Sequence, residues 1–216
     1  LALADELAAR VNAGSDPFDT AVRLAIAGNI IDFGVPGEVP RDLRAVVDHA
    51  LAAPLDPALV AEFRRRVDRA GLILYLGDNA GEIAFDKLLL DQLPCDRVTY
   101  AVRGRAVLND ATRADAEAVG LTDLVEVVDN GAGCPGTVLH QCSAAFRRLF
   151  HAADLVIAKG QGNYETLSDA AGDIFFLLKV KCPIVARQTG LAEGSIVLYH
   201  QDRAPSLRRP NEAAST

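Results

Sequence analysis

The chain has 216 residues, 50% hydrophobic and 24% charged, which is enough to bury a sizeable core as one α/β domain with a helical appendage. Its 22 basic and 29 acidic side chains leave a formal charge of −7 with no block of five or more like charges, which disfavours a nucleic-acid partner. Four cysteines without a C-x-x-C pair and four histidines without an H-x-x-x-H pair disfavour structural zinc and a disulfide framework; no apolar run reaches membrane-spanning length. The expectation is a soluble, cytoplasmic protein with buried free thiols and no membrane partner.

Residues 1–70 read as a helical amino-terminal region. Leu3, Leu7 and Val11 recur at intervals of four, and Leu43, Val46, Val47 and Leu51 follow a helical spacing, with prolines and glycines dividing the region into short helices. Within it, Asn29 and Asp32 interrupt the apolar stretch 25–33, either as satisfied core polars or as groups that reach a site elsewhere.

After Gly71 the pattern changes to short apolar runs alternating with helical stretches. Strands are predicted at 72–76, 98–102, 124–128, 155–158, 175–180 and near 196–199, with helices at about 83–93, 111–119, 137–151, 164–172 and 182–189. Alternation of this kind predicts an α/β fold, a three-layer α/β/α, doubly wound, mostly parallel sheet over 71–200. Residues 201–216 carry little apolar content and are expected to form a flexible tail.

Ligands of such sheets bind outside the carboxyl ends of the strands, so the turns there are the candidates for chemistry. After the first strand stands Gly77-Asp78-Asn79-Ala80-Gly81-Glu82, and after the second Arg103 to Thr112, which contains Asn109-Asp110. Taken alone, each Asx pair fits a turn or helix cap at least as well as a ligand set. Their repetition after successive strands is what points to a shared cation, and the oxygen donors Asp, Asn and Asp suit Mg²⁺ or Mn²⁺ rather than zinc. After the fourth strand stands Lys159-Gly160-Gln161-Gly162-Asn163-Tyr164-Glu165, a poor dinucleotide fingerprint but a workable oxyanion site. The glycine-rich stretch 129–137 reads as a plain loop or a phosphate cradle, Cys134 lacks a histidine partner for nucleophilic catalysis, and Lys179 and Lys181 flank the end of the fifth strand.

Together, Gly77-Asp78-Asn79-Ala80-Gly81-Glu82, Leu108-Asn109-Asp110-Ala111-Thr112 and the Lys159 to Glu165 motif resemble the metal-dependent damage-control phosphatase family, which includes acidic-residue methyltransferase-like proteins. The resemblance runs in order from about Asn29 to about Val197 and takes in Gly28-Asn29-Ile30-Ile31-Asp32. It implies a divalent metal, Mg²⁺ or Mn²⁺ with Co²⁺ or Ni²⁺ as alternatives, held by Asp78, Asn79 and Asp110. It further implies catalytic roles for Asp78, Asp110, Lys159 and Lys181, with Gly160, Asn163 and Glu165 on a small phosphorylated substrate. Glu82, Arg103, Asn109 and Gly162, in the same turns, are expected to line the substrate site. Members of the nearest branch usually begin with a cysteine pair that this sequence lacks, so a segment preceding Leu1 is expected.

The expected activity is hydrolysis of a phosphomonoester, a sugar phosphate or a related damaged metabolite. Carboxyl methyl transfer and non-catalytic binding of a phosphometabolite are the alternatives. The oligomeric state is left open.

Overall fold

A computed structural model describes residues 2–29 and 43–203. Four helices come first: α1 (Ala2–Ala13), α2 (Pro17–Gly28), α3 (Leu43–Ala52) and α4 (Pro57–Arg69). Two of them start on the same local device, an aspartate cap followed by proline. Asp16 accepts a hydrogen bond from the Asp19 N–H and Asp56 one from the Ala58 N–H, and Pro17 and Pro57 occupy the first helical position, where the missing N–H costs nothing. Asp32 lies outside the described residues.

The rest of the chain alternates. Strand β1 (Ile73–Leu76) leads to α5 (Ile83–Leu90), β2 (Val98–Val102) to α6 (Arg113–Ala118), and β3 (Glu126–Asp129) to α7 (Ala144–Ala152). Then β4 (Leu155–Lys159) runs directly into α8 (Gly160–Leu167), β5 (Ile174–Lys179) precedes α9 (Pro183–Thr189), and β6 (Ile196–His200) closes the sheet. The strand order is β3-β2-β1-β4-β5-β6, parallel except for β6, as expected of a doubly wound α/β fold. Residues 201–203 form a 3₁₀ turn held by Gln201 on the Ala170 carbonyl, and the remainder of the expected tail lies outside the described residues.

Two predicted helices are shifted. The helix expected from 137 starts at Ala144, because residues 131–143 hold Gly131 and Gly136 in left-handed backbone and Ser143 caps the helix by accepting from the Phe146 N–H. The helix expected from 164 starts at Gly160, leaving no loop between strand and helix. The thiols also depart from expectation: Cys142 is buried, whereas Cys95, Cys134 and Cys182 are half-buried, and all four are free.

Apolar side chains fill both sheet faces. On one, Leu7, Val11, Phe63 and the α5 residues Leu88 and Leu89 cover Tyr75, Tyr100 and Ile157; on the other, Phe146, Phe150, Tyr164 and Leu167 cover Leu74, Leu76 and Phe176. Phe63 of α4 joins the helical region to the sheet, its ring 5.5 Å from that of Phe18 and 4.7 Å from that of Phe175. Among the described residues no helix is long and apolar enough to cross a membrane.

Phe63→Ala should therefore lower unfolding stability by about 3–5 kcal/mol in denaturant titration, the range for truncating a fully buried aromatic. A loss under about 1 kcal/mol would mean that the helical region packs on the sheet without it.

Candidate functional site

Strand order reverses at β1, which has β2 on one side and β4 on the other, and the turns after these three strands meet at the carboxyl edge of the sheet. Their tips are level: Leu76 stands beside Ala101 of β2 and Ala158 of β4. The turns after β1 and β2 then pair with each other, Asn79 bridging Asp110. The Ala80 N–H donates to the Asn109 carbonyl at 2.8 Å and the Ala111 N–H to the Asp78 carbonyl at 2.7 Å. This pairing brings together the three residues expected to hold a metal, all of them buried.

Arg103, at the end of β2, lies between the two carboxylates. Its Nε donates to Asp110 Oδ2 at 2.6 Å and its Nη2 stands 3.9 Å from Asp78 Oδ1. The other edge of the guanidinium donates to Thr137 Oγ1 at 3.3 Å and to Asn163 Oδ1 at 3.4 Å; Thr137 itself donates to Asn163 Oδ1 at 2.8 Å. The Asn163 amide nitrogen donates to the carbonyls of Gly77 and Lys159, so one side chain joins the ends of β1 and β4 and the loop 131–143. The glycine-rich stretch thus contributes Thr137 to the site.

Gly160 has φ +77°, and a Cβ there would stand 1.8 Å from Asp78 Oδ2, so only glycine lets the start of α8 close on that carboxylate. Gly162 packs against Gly136, where a Cβ would meet the Gly162 carbonyl at 2.3 Å. Asn29 resolves in favour of reach: its Nδ2 donates to Asp78 Oδ2 at 3.2 Å and Glu82 Oε1 at 2.9 Å, and its Oδ1 accepts from the Lys179 N–H. Lys159 is fully buried, with Nζ 2.5 Å from Asp86 Oδ1 and 3.8 Å from Glu82 Oε2. Lys181 is exposed beyond β5, its N–H donating to Gln161 Oε1, and Glu165 is exposed on α8, accepting from the Gln161 side chain. Asn109 is half-buried in the loop pairing. Lys181 and Glu165 are thus joined through Gln161 at the exposed rim, whereas Glu82, Lys159 and Asn163 form the sealed floor. Cys142 is a poor nucleophile, since burial pushes its thiol up to about 11.

Charge decides what the cluster can bind. Among the described residues Asp78, Glu82, Asp86 and Asp110 are buried beside Arg103 and Lys159 alone, an excess of two negative charges, and Glu82 Oε2 is buried with no hydrogen-bond partner. Burial and the nearby Glu82 push Asp78 well above the usual carboxylate range against the pull of Arg103; burial likewise raises Glu82 against the pull of Lys159. For Lys159, burial disfavours the charge, but Asp86 and Glu82 outweigh it and hold the ammonium above its ordinary value.

A divalent cation fits this imbalance. Among the described residues no three His, Cys, Asp or Glu side chains form a cage, so the fit is two carboxylates and one amide oxygen. Mg²⁺ and its relatives accept such a sparse set, completing their shell with water and phosphate oxygens. Asn79 Nδ2 donates to Glu82 Oε1 at 2.5 Å, and its amide oxygen is the ligand atom it would offer a cation. Asp86, Tyr75, Tyr100 and Thr137 were not singled out from sequence. For Asp86 the signal was a charged residue four positions after Glu82, on the apolar face of a helix.

Comparison with known proteins agrees with the resemblance noted in the sequence. A family model described as the damage-control phosphatase ARMT1-like domain matches residues 1–197. A damage-control phosphatase of Pyrococcus horikoshii is 42% identical over 184 residues, which cover 83% of this chain and 64% of that protein. One from Archaeoglobus fulgidus is 37% identical over 206 residues, covering 91% of this chain and 69% of that protein. A crystal structure of a DUF89 family protein from Pyrococcus horikoshii superposes with a TM-score of 0.77 at 41% identity, over 85% of this chain and 66% of that one. The chain therefore spans about two thirds of the length of the relatives it matches.

The raised carboxylates give the cation-free protein a defined pH response. Asp78 and Glu82 bind protons more tightly folded than unfolded. The stability this contributes is fully present below their ordinary values of 3.8 and 4.5 and is lost as pH climbs through the raised folded values. Chelator-treated protein should melt at progressively lower temperature as pH is raised above the ordinary carboxylate value of 4.5, and Asp78→Asn should flatten the decline. A melting temperature independent of pH, or an equal decline in the variant, would remove the charge excess from the description.

Proposed function

The chain belongs to the damage-control phosphatase ARMT1-like family, and on that premise we propose that it is a divalent-metal-dependent hydrolase of a small phosphomonoester, a sugar phosphate or related metabolite. The observation that carries the proposal is the pairing of the β1 and β2 turns, which gathers Asp78, Asn79 and Asp110 over a buried excess of negative charge beside the start of α8.

In this reading Asp78, Asn79 and Asp110 hold the cation. Held there, a cation would supply Lewis-acid polarisation of a phosphoryl oxygen and would neutralise charge developing on it. The side chains divide the remaining work. Arg103 fixes the angle between the two carboxylates through its contacts to Asp110 and Asp78, and Thr137 and Asn163 fix Arg103 in turn. Lys159 from below and Lys181 from the rim supply positive charge to the phosphate oxygens, and the first N–H groups of α8, from Gly160 to Gly162, lack carbonyl partners within their own helix and are available to an anion. Asn29 keeps Asp78 in place, donating to it and to Glu82. Positioning and electrostatic stabilisation of this kind account for most of the acceleration in phosphoryl transfer.

The direct test is release of inorganic phosphate from a panel of sugar phosphates after chelation and re-addition of Mg²⁺, Mn²⁺, Co²⁺ or Ni²⁺. Activity should vanish with the chelator and return with at least one metal, and Asp110→Asn should lower kcat/KM by roughly 100-fold or more. An Asp110→Asn variant as active as the wild type, or methyl incorporation from a methyl donor in place of phosphate release, would contradict the proposal.

A further inference from the structure

Helix α5 buries a face that is apolar except at Glu82, just before it, and Asp86, one turn further on. Burying an acid against a sheet is costly unless its oxygens are matched, and here they are matched from three strands. Tyr75 of β1 and Tyr100 of β2 are register partners whose rings stack at 5.0 Å. Tyr75 donates its hydroxyl to Asp86 Oδ1 at 2.9 Å, and Tyr100 donates to Oδ2 at 2.6 Å. The third donor is Lys159 Nζ, at 2.5 Å from Oδ1. Lys159 is the last residue of β4 and by alternation shares the face of Ile157, the neighbour of Tyr75, so its side chain drops to the α5 side beneath the strand tips.

Stability alone does not call for this group, because a buried ion pair is commonly matched or bettered by apolar residues of the same size. What distinguishes it is its upper end. The ammonium stands 3.8 Å from the unpartnered Glu82 Oε2, and the residue after Lys159 is Gly160, whose Cα packs on the Asp78 carboxylate.

We propose that Asp86, itself clamped by Tyr75 and Tyr100, is a positioning residue that fixes the Lys159 ammonium beneath the phosphate site. The inference rests on the phosphatase reading and assigns Asp86 no contact with substrate. An unclamped lysine has several rotamers over which to spread its charge; two hydroxyls locking the acid leave it one. Asp86 therefore acts on phosphate through Lys159, and its hydrogen bonds go to Tyr75, Tyr100 and Lys159 rather than to the cation ligands.

Energetic coupling tests this directly. In wild type, Asp86→Asn, Lys159→Met and the double variant, inorganic phosphate affinity is measured in saturating Mn²⁺, and Mn²⁺ affinity is measured alone. Asp86→Asn should weaken phosphate binding about 10-fold in the wild-type background and less than about 2-fold in the Lys159→Met background, while Mn²⁺ affinity, which feels only the lost charge, falls by a clearly smaller factor than phosphate affinity does. Tyr100→Phe removes only a hydroxyl and provides a folded alternative if Asp86→Asn does not fold; it should show the same pattern at about 3-fold. The wild-type turnover assay separates the two levels: without phosphate release the phosphatase reading fails, whatever the variants do. With turnover present, an equal loss of phosphate affinity in both backgrounds, or a loss of Mn²⁺ affinity in step with it, would overturn the role given to Asp86.

Discussion

Among the described residues, four acidic and two basic side chains sealed around the tips of three neighbouring strands set the terms for everything around them. Buried charge is tolerated only when it is paired, hydrogen-bonded or matched by an ion, and each device is used. Arg103 serves Asp110 and, more distantly, Asp78; Lys159 serves Asp86 and Glu82; Asn29 and Asn79 donate to Glu82. The two negative charges left over among the described residues are what a divalent cation would take up, and without one burial raises the pKa values of Asp78 and Glu82, which favours their neutral forms.

The fold supplies the rigidity that such a cluster needs. Reversal of strand order at β1 places three turns side by side, and pairing between the β1 and β2 turns sets Asp110 within a hydrogen bond of Arg103 and Asp78 within ion-pair distance of it. Helix α2 is tied into the site through Asn29, its carboxyl-terminal cap, which touches Asp78, Glu82 and the backbone of β5 at once. The amino-terminal helices are therefore part of the site as well as packing for one face of the sheet. Loop 131–143 has a comparable role on the other face, where Thr137 closes the chain from Arg103 to Asn163.

Much of this was legible in the sequence because it depends on period and adjacency. Apolar runs such as Leu72 to Leu76 and Leu155 to Ala158 mark strands buried on both faces, and the polar residues that follow them necessarily fall at one edge of the sheet. Helix starts were less legible. Glycines at 160 and 162 read as a loop, yet α8 begins at Gly160, because Asp78 occupies the space that a side chain there would need. Asp86 was hidden for a different reason: its partners Tyr75 and Tyr100 look like ordinary strand aromatics, and only the register that sets one beside the other brings their hydroxyls to one carboxylate. Asn29 and Thr137 depend likewise on contacts between distant segments that no local spacing encodes.

On the proposed function, the buried excess of negative charge is a cation site with Asp78, Asn79 and Asp110 as its protein ligands. Anomalous diffraction at the manganese edge from crystals grown with Mn²⁺ tests it most directly. The account requires one strong peak at roughly 2.0–2.6 Å from an oxygen of each of the three residues, with Arg103 still on Asp110. A peak more than about 4 Å from all three would contradict it.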